Sequence, residues 1–313
     1  MTITRVIFMG SPAFAVPTLE ALVGAPDLVE VVGVVTQPDK PAGRGRTLTP
    51  PPVKIAAAAH NLPVLQPAKM KAEATHQSLR ALRPELLIVA AYGRILPPAI
   101  LTIPTLDSIN VHASLLPRHR GASPISHAIL AGDTETGVSI MRIEEGLDTG
   151  PVFAMRRLPM PSGANADSLS ALLATLGSEL LVETLPAIVA EALKPTPQNH
   201  EAATYAPLLR KEHGRLDFTK AAVTLERQVR AFHPWPGTFA FKGAQRVHIS
   251  AVETETDNTD APGRVIAADK RGVVVSCGEG GLRLVLVQPE GKKLMPAAAW
   301  VAGRGIAVGD VLT

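Results

Sequence analysis

Apolar residues follow two different rhythms along this chain. In the first half, apolar runs at residues 6–9, 29–36 (interrupted by Glu30) and 86–91 alternate with helically spaced stretches at 12–23 and 53–60. A continuous run of strand length suits a strand buried on both faces, as in a parallel sheet. Gly10, Ser11 and Pro12 break the first run, and Phe14, Thr18, Leu19 and Leu22 then fall on or near one helical face. Another strand is expected at 109–112, then a helix opening at Ser123-Pro124, a cap and first-turn pair. Runs at 137–143 and 152–158 read as a hairpin around the polar loop 144–150, and a helix is expected over 166–193. This alternation predicts an α/β fold with a doubly wound, Rossmann-like, mostly parallel sheet.

The grammar changes after residue 193. Residues 194–200 are proline-rich and polar, without apolar periodicity, and read as a linker. One helix at 223–232 and short strands at 239–241, 247–252, 263–267, 273–276 and 282–287 follow, separated by glycine turns. That pattern predicts a small all-β domain, for which a five-stranded OB-like barrel suits the strand count. The expected divisions are 1–193, a linker at 194–208, and 209–313.

Composition adds bounds. With 46% hydrophobic and 19% charged residues among 313, the chain has enough apolar material for about two packed domains. Its single cysteine, Cys277, rules out an internal disulfide and fits a reducing cytosol. No signal peptide is expected, because no basic segment precedes a long apolar core at the start. No apolar run approaches the ~20 residues of a membrane span, so a cytoplasmic protein is expected. The net charge of +3 is uneven: residues 1–208 hold 16 basic against 17 acidic residues, and 209–313 hold 15 against 11. The excess positive charge therefore lies in the last third, where it fits either an ordinary basic domain or a surface for a polyanion.

The chemistry concentrates in two short segments. Asn110 and His112 lie two apart in an expected strand, so an amide and an imidazole share one face. Ser114-Leu115-Leu116-Pro117 then breaks the strand at a sheet edge, where open α/β sheets bind ligands. Asp148 lies in the later loop 144–150. Other chemistries lack their residues. Gly10 stands alone where a dinucleotide fingerprint needs three spaced glycines, so it reads as a tight turn or a substrate-contacting one. No metal-ligand spacing and no Gly-x-Ser-x-Gly elbow occurs, so no metal is expected.

Several segments resemble the methionyl-tRNA formyltransferases, a family that uses 10-formyltetrahydrofolate. They are Phe8-Met9-Gly10-Ser11-Pro12, the run 36–46 (TQPDKPAGRGR), Ala90-Ala91-Tyr92-Gly93, Asn110 to Pro117 (NVHASLLP), Leu147-Asp148-Thr149-Gly150, Ala231 to Pro236 (AFHPWP) and Gln288 to Lys293 (QPEGKK). The resemblance spans essentially the whole chain. The Asn–His–Asp set is shared with other formyl-folate enzymes, and the 36–46 loop narrows the match to those acting on tRNA. Ala113 departs from a glycine common in the family, with no change of chemistry expected.

The resemblance implies formyl transfer from 10-formyltetrahydrofolate to the α-amine of initiator methionyl-tRNA; a monomer is expected. Asn110, His112 and Asp148 are then catalytic: oxyanion donor, oxyanion donor or proton relay, and orienter of His112 or holder of a relay water. Ser114, Leu115, Leu116, Pro117, Tyr92 and Gly93 are implied to bind folate. Lys40, Arg44 and Arg46 in the long loop 37–49, with Lys292 and Lys293, are implied to bind tRNA. Arg118 and Arg120 meet the folate tail, meet tRNA phosphate, or are solvated. Trp235 is expected to anchor packing rather than stack on a base. Two rival readings stay open: formyl transfer to a sugar nucleotide or other small amine, and a noncatalytic RNA-binding protein on an enzyme scaffold.

Overall fold

The computed structural model describes residues 3–42, 45, 47–256 and 260–313. The chain divides into two compact units, one of residues 1–124, 135–159 and 170–207, the other of 125–134, 160–169 and 208–313. In the first unit, strands β1 (Thr4–Gly10), β2 (Val29–Val35), β3 (Lys40–Ala42), β4 (Thr47–Thr49), β5 (Val64–Leu65), β6 (Leu86–Ala90), β7 (Asp107–His112), β8 (Glu135–Arg142) and β9 (Val152–Pro159) follow in order. Seven of them form one sheet in the order β5-β2-β1-β6-β7-β8-β9. Pairing is parallel from β5 to β7, and antiparallel where β8 and β9 extend the edge.

The apolar runs are buried on both faces, as their continuity predicts. Ile7, Met9, Leu87 and Val89 pack on one face with Leu79 of α3 (Glu73–Ala81) and Ile100 of α4 (Pro98–Leu101). The alternate residues Val6, Phe8, Leu86 and Ile88 are buried as well. Each such side chain contributes about 1.5–3 kcal/mol of transfer free energy. Helices α1 (Val16–Val23) and α2 (Pro52–Ala59) complete the early crossovers. Gly10 ends β1 where there is no room for a side chain: a Cβ there would stand 2.7 Å from the Ala15 Cβ and 3.0 Å from the Ala90 carbonyl oxygen.

Past α5 (Pro124–Ala131), which falls almost wholly in the second unit, α6 (Ala166–Val189) runs for 24 residues. By length and composition α6 could cross a membrane, yet Leu173, Leu180, Leu181 and Leu185 are buried, and its backbone at Gly177 lies against Val111 of β7. Because Val111 faces α6, strand alternation sends Asn110 and His112 to the opposite face. The helix ends earlier than the expected 193. Glu191 turns to φ +52°, and the amides of Ala192 and Leu193 both return to the Ala187 carbonyl, closing the end. The loop 37–49, expected without structure, contains a hairpin of β3 and β4.

In the second unit, the last third is the β domain that its strand grammar predicts. After α7 (Ala222–Ala231) come β10 (Thr238–Lys242), β11 (Gln245–Glu255), β12 (Val265–Asp269), β13 (Gly272–Ser276), β14 (Gly281–Pro289), the short β15 (Met295–Pro296) and α8 (Ala297–Ala302). The sheet order is β10-β11-β14-β13-β12, and the C-terminal residues join its two edges. Phe241 of β10 exchanges both backbone hydrogen bonds with Thr313, while the Leu312 amide donates to the Gly263 carbonyl just before β12. Val247, Ile249, Val275, Leu284 and Val287 fill the interior with Leu225 of α7 and Trp300 of α8. Cys277 lies in this core, where burial pushes its thiol up to about 11 and leaves it unreactive.

The sheet edge that carries the site has little spare room. A methyl on Gly137 of β8 would lie 2.2 Å from the Arg156 carbonyl oxygen and 2.6 Å from the Leu115 side chain. Gly137→Ala is therefore expected to lower the unfolding free energy by about 1–3 kcal/mol, read as a lower urea midpoint at unchanged slope.

Candidate functional site

The site grows from the carboxyl end of β7. Asn110 is half-buried and pairs with Val89 of β6 and Met141 of β8, and among the described residues its amide has no hydrogen-bonding partner. An unpaired, half-buried amide can hold a ligand oxygen without titrating. His112, two residues on, is buried, and its Nε2 lies 3.1 Å from the His119 carbonyl oxygen. A carbonyl only accepts, so Nε2 carries the hydrogen and Nδ1 is the free lone pair of the neutral ring. That Nδ1 stands 3.8 Å from Oδ2 of Asp148. The structure thus brings Asp148 to His112, with Asn110 two residues before His112 on the same face of β7.

Asp148 is held by its backbone as much as by its side chain. It sits in the β8–β9 loop at φ +52°, a left-handed conformation that Asp tolerates better than most residues. Its Oδ2 accepts a 2.8 Å hydrogen bond from the Gly121 amide, and its carbonyl oxygen accepts one of 2.9 Å from Nε2 of Gln198. The carboxylate can therefore face the imidazole without collapsing onto it, leaving a separation longer than a direct hydrogen bond.

The loop after β7 is anchored by β8. Ser139 is paired with His112, and its hydroxyl donates to the Ser114 carbonyl (2.7 Å) while accepting from the Leu116 amide (3.1 Å). Ser114 closes the turn by donating to the Arg118 carbonyl at 2.6 Å. Leu116 is buried with Met141 and Val152, so it secures the loop from below, whereas Leu115 and Pro117 remain half-buried. Among the residues expected to bind folate, Leu115 and Pro117 keep side-chain surface open to a ligand.

At the neighbouring strand ends lies a cavity of about 440 Å³, lined by Ser11, Pro12, Gln37, Pro38, Lys40, Thr49, Pro51, Pro52, Ala91 and Gly93. Its floor is cross-braced: Ser11 and Gln37 side chains both donate to the Tyr92 carbonyl, and Lys40 donates to the Gln37 side-chain oxygen. Gly93 lines this cavity, but the Tyr92 side chain does not. Its ring is buried on the other side, with the hydroxyl 3.0 Å from the Met70 sulfur and held above its ordinary pKa by burial. Tyr92 can reach a ligand only through its backbone. At the foot of the β3–β4 hairpin, hydrogen bonds from Gln66 and then from Lys54 hold Asp39 below the usual carboxylate range.

Other expected residues are placed differently. Arg44 and Arg46 lie outside the described residues. Lys292 and Lys293 are exposed in the turn between β14 and β15 of the second unit. Arg120 is neither solvated nor open to phosphate. It is 2% exposed, and its Nε and Nη2 both donate to the Gln198 side-chain oxygen, at 3.0 and 2.7 Å. Trp235 leaves about half of its surface exposed, so it is not a buried anchor.

The segment 194–207 does not behave as a free linker. Thr196 and Val152 exchange backbone hydrogen bonds, and Gln198 reaches Asp148 and Gly150. Thr204 accepts from the His119 amide through its hydroxyl and from the Arg120 amide through its carbonyl. Gln198, Thr204 and Ser139 are site residues that sequence reasoning does not single out. Only Ser139 leaves a signal, a hydroxyl set between the apolar Val138 and Ile140 on the strand face opposite to theirs.

Known proteins resemble this chain at two levels. A family described as formyl transferase matches residues 4–185, and its companion, described as formyl transferase, C-terminal domain, matches residues 208–305. The methionyl-tRNA formyltransferase of Myxococcus xanthus is 50% identical, over 99% of this chain and 98% of its own. That of Chloroflexus aurantiacus is 48% identical, over 96% of each. Among solved structures, an N-formyltransferase from Helicobacter canadensis in complex with folinic acid and dTDP-3-aminofucose superposes with a TM-score of 0.67 at 17% identity. It covers 90% of this chain and 99% of its own. HypX from Aquifex aeolicus in complex with tetrahydrofolic acid gives 0.66 at 18% identity, covering 99% of this chain and 49% of that one. At such identities the two structures establish the fold.

Proposed function

The chain belongs to the formyl transferase family, and on that footing we propose that it transfers a formyl group from 10-formyltetrahydrofolate to the α-amine of methionine on initiator tRNA. Near-half identity to methionyl-tRNA formyltransferases over almost the full length supports the choice of acceptor. The observation that carries the chemistry is the fixed His112 ring, with Nε2 turned to the His119 carbonyl and Nδ1 turned toward Asp148.

The residues present suit a formyl-folate. An unpartnered amide, a free imidazole lone pair and a carboxylate converge at a sheet edge beside half-buried apolar loop residues. When bound, 10-formyltetrahydrofolate supplies a formyl group on N10, an amide-like carbon open to attack by an amine. Asn110 donates to the oxygen on which negative charge develops, an interaction that strengthens as the charge grows. His112 takes the proton shed by the attacking amine on Nδ1 and passes it toward the leaving nitrogen. Asp148 stands where that proton arrives, so the imidazolium forms against a carboxylate rather than in apolar surroundings. A free α-amine has a pKa near ~8, so a useful fraction is neutral at pH 7 and a weak base is enough. Leu115, Pro117, Ser114 and Leu116 shape the folate side, the buried ones by holding the loop, whereas Tyr92 and Gly93, expected with them, belong to the neighbouring cavity.

The cavity at the β1, β2 and β6 ends, walled by prolines and Ala91, offers an apolar side chain such as that of methionine a place to lie. Lys40 on its rim, with Arg44 and Arg46 four and six positions later in the sequence, would meet the opened acceptor end of the tRNA, where A-form geometry and phosphates are read. Lys292 and Lys293 would add a sequence-independent grip on phosphate.

Purified protein given 10-formyltetrahydrofolate should formylate charged methionyl-tRNA and neither a nucleotide-linked amino sugar nor free methionine; reversal of that preference would reassign the acceptor. In the same assay Asn110→Ala should lower kcat by about 10²–10³ with cooperative unfolding kept, and turnover like wild type would remove Asn110 from the chemistry. Arg44→Ala should raise KM for the tRNA by about tenfold, the worth of a charged hydrogen bond, with KM for folate unchanged.

A further inference from the structure

The group that holds Asp148 in place lies fifty residues away in the segment read as a linker. We propose that Gln198 is a positioning residue for the reaction: oriented by Arg120, it fixes the Asp148-Thr149-Gly150 turn and hence the carboxylate facing His112. The proposal rests on the catalytic role of Asp148 given above.

Gln198 is 8% exposed, and every hydrogen-bonding position of its amide is taken. Its oxygen accepts twice from Arg120, from Nε at 3.0 Å and from Nη2 at 2.7 Å. Its nitrogen donates twice, to the Asp148 carbonyl at 2.9 Å and to the Gly150 carbonyl at 2.6 Å. A guanidinium can only donate, so it dictates which end of the amide points at Arg120, and the NH₂ must then face the turn. Arg120 is itself immobile. It is 2% exposed, its backbone amide and carbonyl pair with Thr204 and Ala206, and its Nη2 also reaches Nδ1 of His200 at 3.2 Å.

The turn needs such a clamp. Asp148 is at φ +52°, a conformation that costs about 1–3 kcal/mol when not held by its surroundings. The side-chain contact, from the Gly121 amide to Oδ2, fixes one oxygen but leaves the backbone free to relax. Two donors on the carbonyls either side of Thr149 remove that freedom. Residue 198 thereby touches neither the imidazole nor the reacting atoms, and acts through Asp148 alone.

Two substitutions separate positioning from simple support. Gln198→Glu keeps an acceptor for Arg120 but removes the donors to the turn, whereas Gln198→Met removes both. Both variants should lose kcat by about tenfold to a hundredfold, with KM for methionyl-tRNA and for 10-formyltetrahydrofolate within about twofold of wild type. Gln198→Met, which leaves the buried Arg120 guanidinium without this acceptor, should lose more thermal stability than Gln198→Glu. Adding Gln198→Glu to Asp148→Asn should cost no further kcat, because the route through residue 148 is already cut. If kcat followed stability, with Gln198→Glu like wild type, Gln198 would be structural and the proposal overturned. Additive losses in the double variant would overturn it too. A fully active Asp148→Asn enzyme would instead sink the role of Asp148, and this proposal with it.

Discussion

The hydrogen bond between Nε2 of His112 and the carbonyl oxygen of His119 sets what the rest of the site can be. It fixes the tautomer, so that one ring nitrogen is spent on structure and the other is open to a proton. It also requires the chain to double back within seven residues, which forces the turn 114–119 and places Ser114, Leu116 and Arg118 around it. The strand supplies the other half of the constraint. With Val111 packed under α6, Asn110 and His112 must face away from that helix, and one strand therefore delivers an amide and an imidazole side by side.

Loops in these positions would not keep their shape unaided. Ala91, His119 and Asp148 all have positive φ, three of the seven described non-glycine residues that do, and each lies at a strand-end loop of the site or its neighbouring cavity. Such conformations cost about 1–3 kcal/mol apiece and persist only where neighbours leave no alternative. Here the alternatives are removed by pairing. Tyr92 accepts from Ser11 and Gln37, the His119 amide donates to Thr204, and Asp148 accepts from Gly121 and Gln198. The buried strands beneath supply the stability against which this strain is set.

How much of this the sequence discloses depends on the range of the interaction. Apolar runs mark β1, β2 and β6 because burial on both faces leaves few polar positions, Glu30 of β2 being exposed. The i, i+2 spacing of Asn110 and His112 marks a shared face because strand geometry is local. By contrast β5 has two residues, and α3 carries few apolar side chains (EATHQSLRA), so neither has a pattern long enough to read. The hairpin of β3 and β4 hides in a segment whose prolines and glycines look like loop. Asp148 comes to His112 across the sheet, 36 positions along the chain, and resemblance rather than spacing connects them. Gln198 and Arg120 are farther still: nothing in a proline-rich polar stretch says that one amide in it folds back onto a catalytic loop. The reading of Arg120 as a solvated or phosphate-binding residue fails for the same reason, since its partner is 78 positions away.

That partner is an amide for a physical reason. The clamp must donate to two carbonyls and accept from a guanidinium at once. Among neutral side chains only Gln and Asn present two donors and an acceptor in one plane, and Asn is shorter by a methylene. A lysine could hold the carbonyls but would meet Arg120 as a like charge, and a glutamate would satisfy Arg120 while turning an anion on the turn. Both would also place a second formal charge near the carboxylate that faces His112, and in a buried setting such charges act strongly on one another. The amide instead converts the fixed direction of the Arg120 donors into a fixed direction at Asp148 without a formal charge of its own. The proton-handling pair can then be set by His112 and Asp148 themselves, and the segment joining the sheet to the C-terminal third contributes order rather than field.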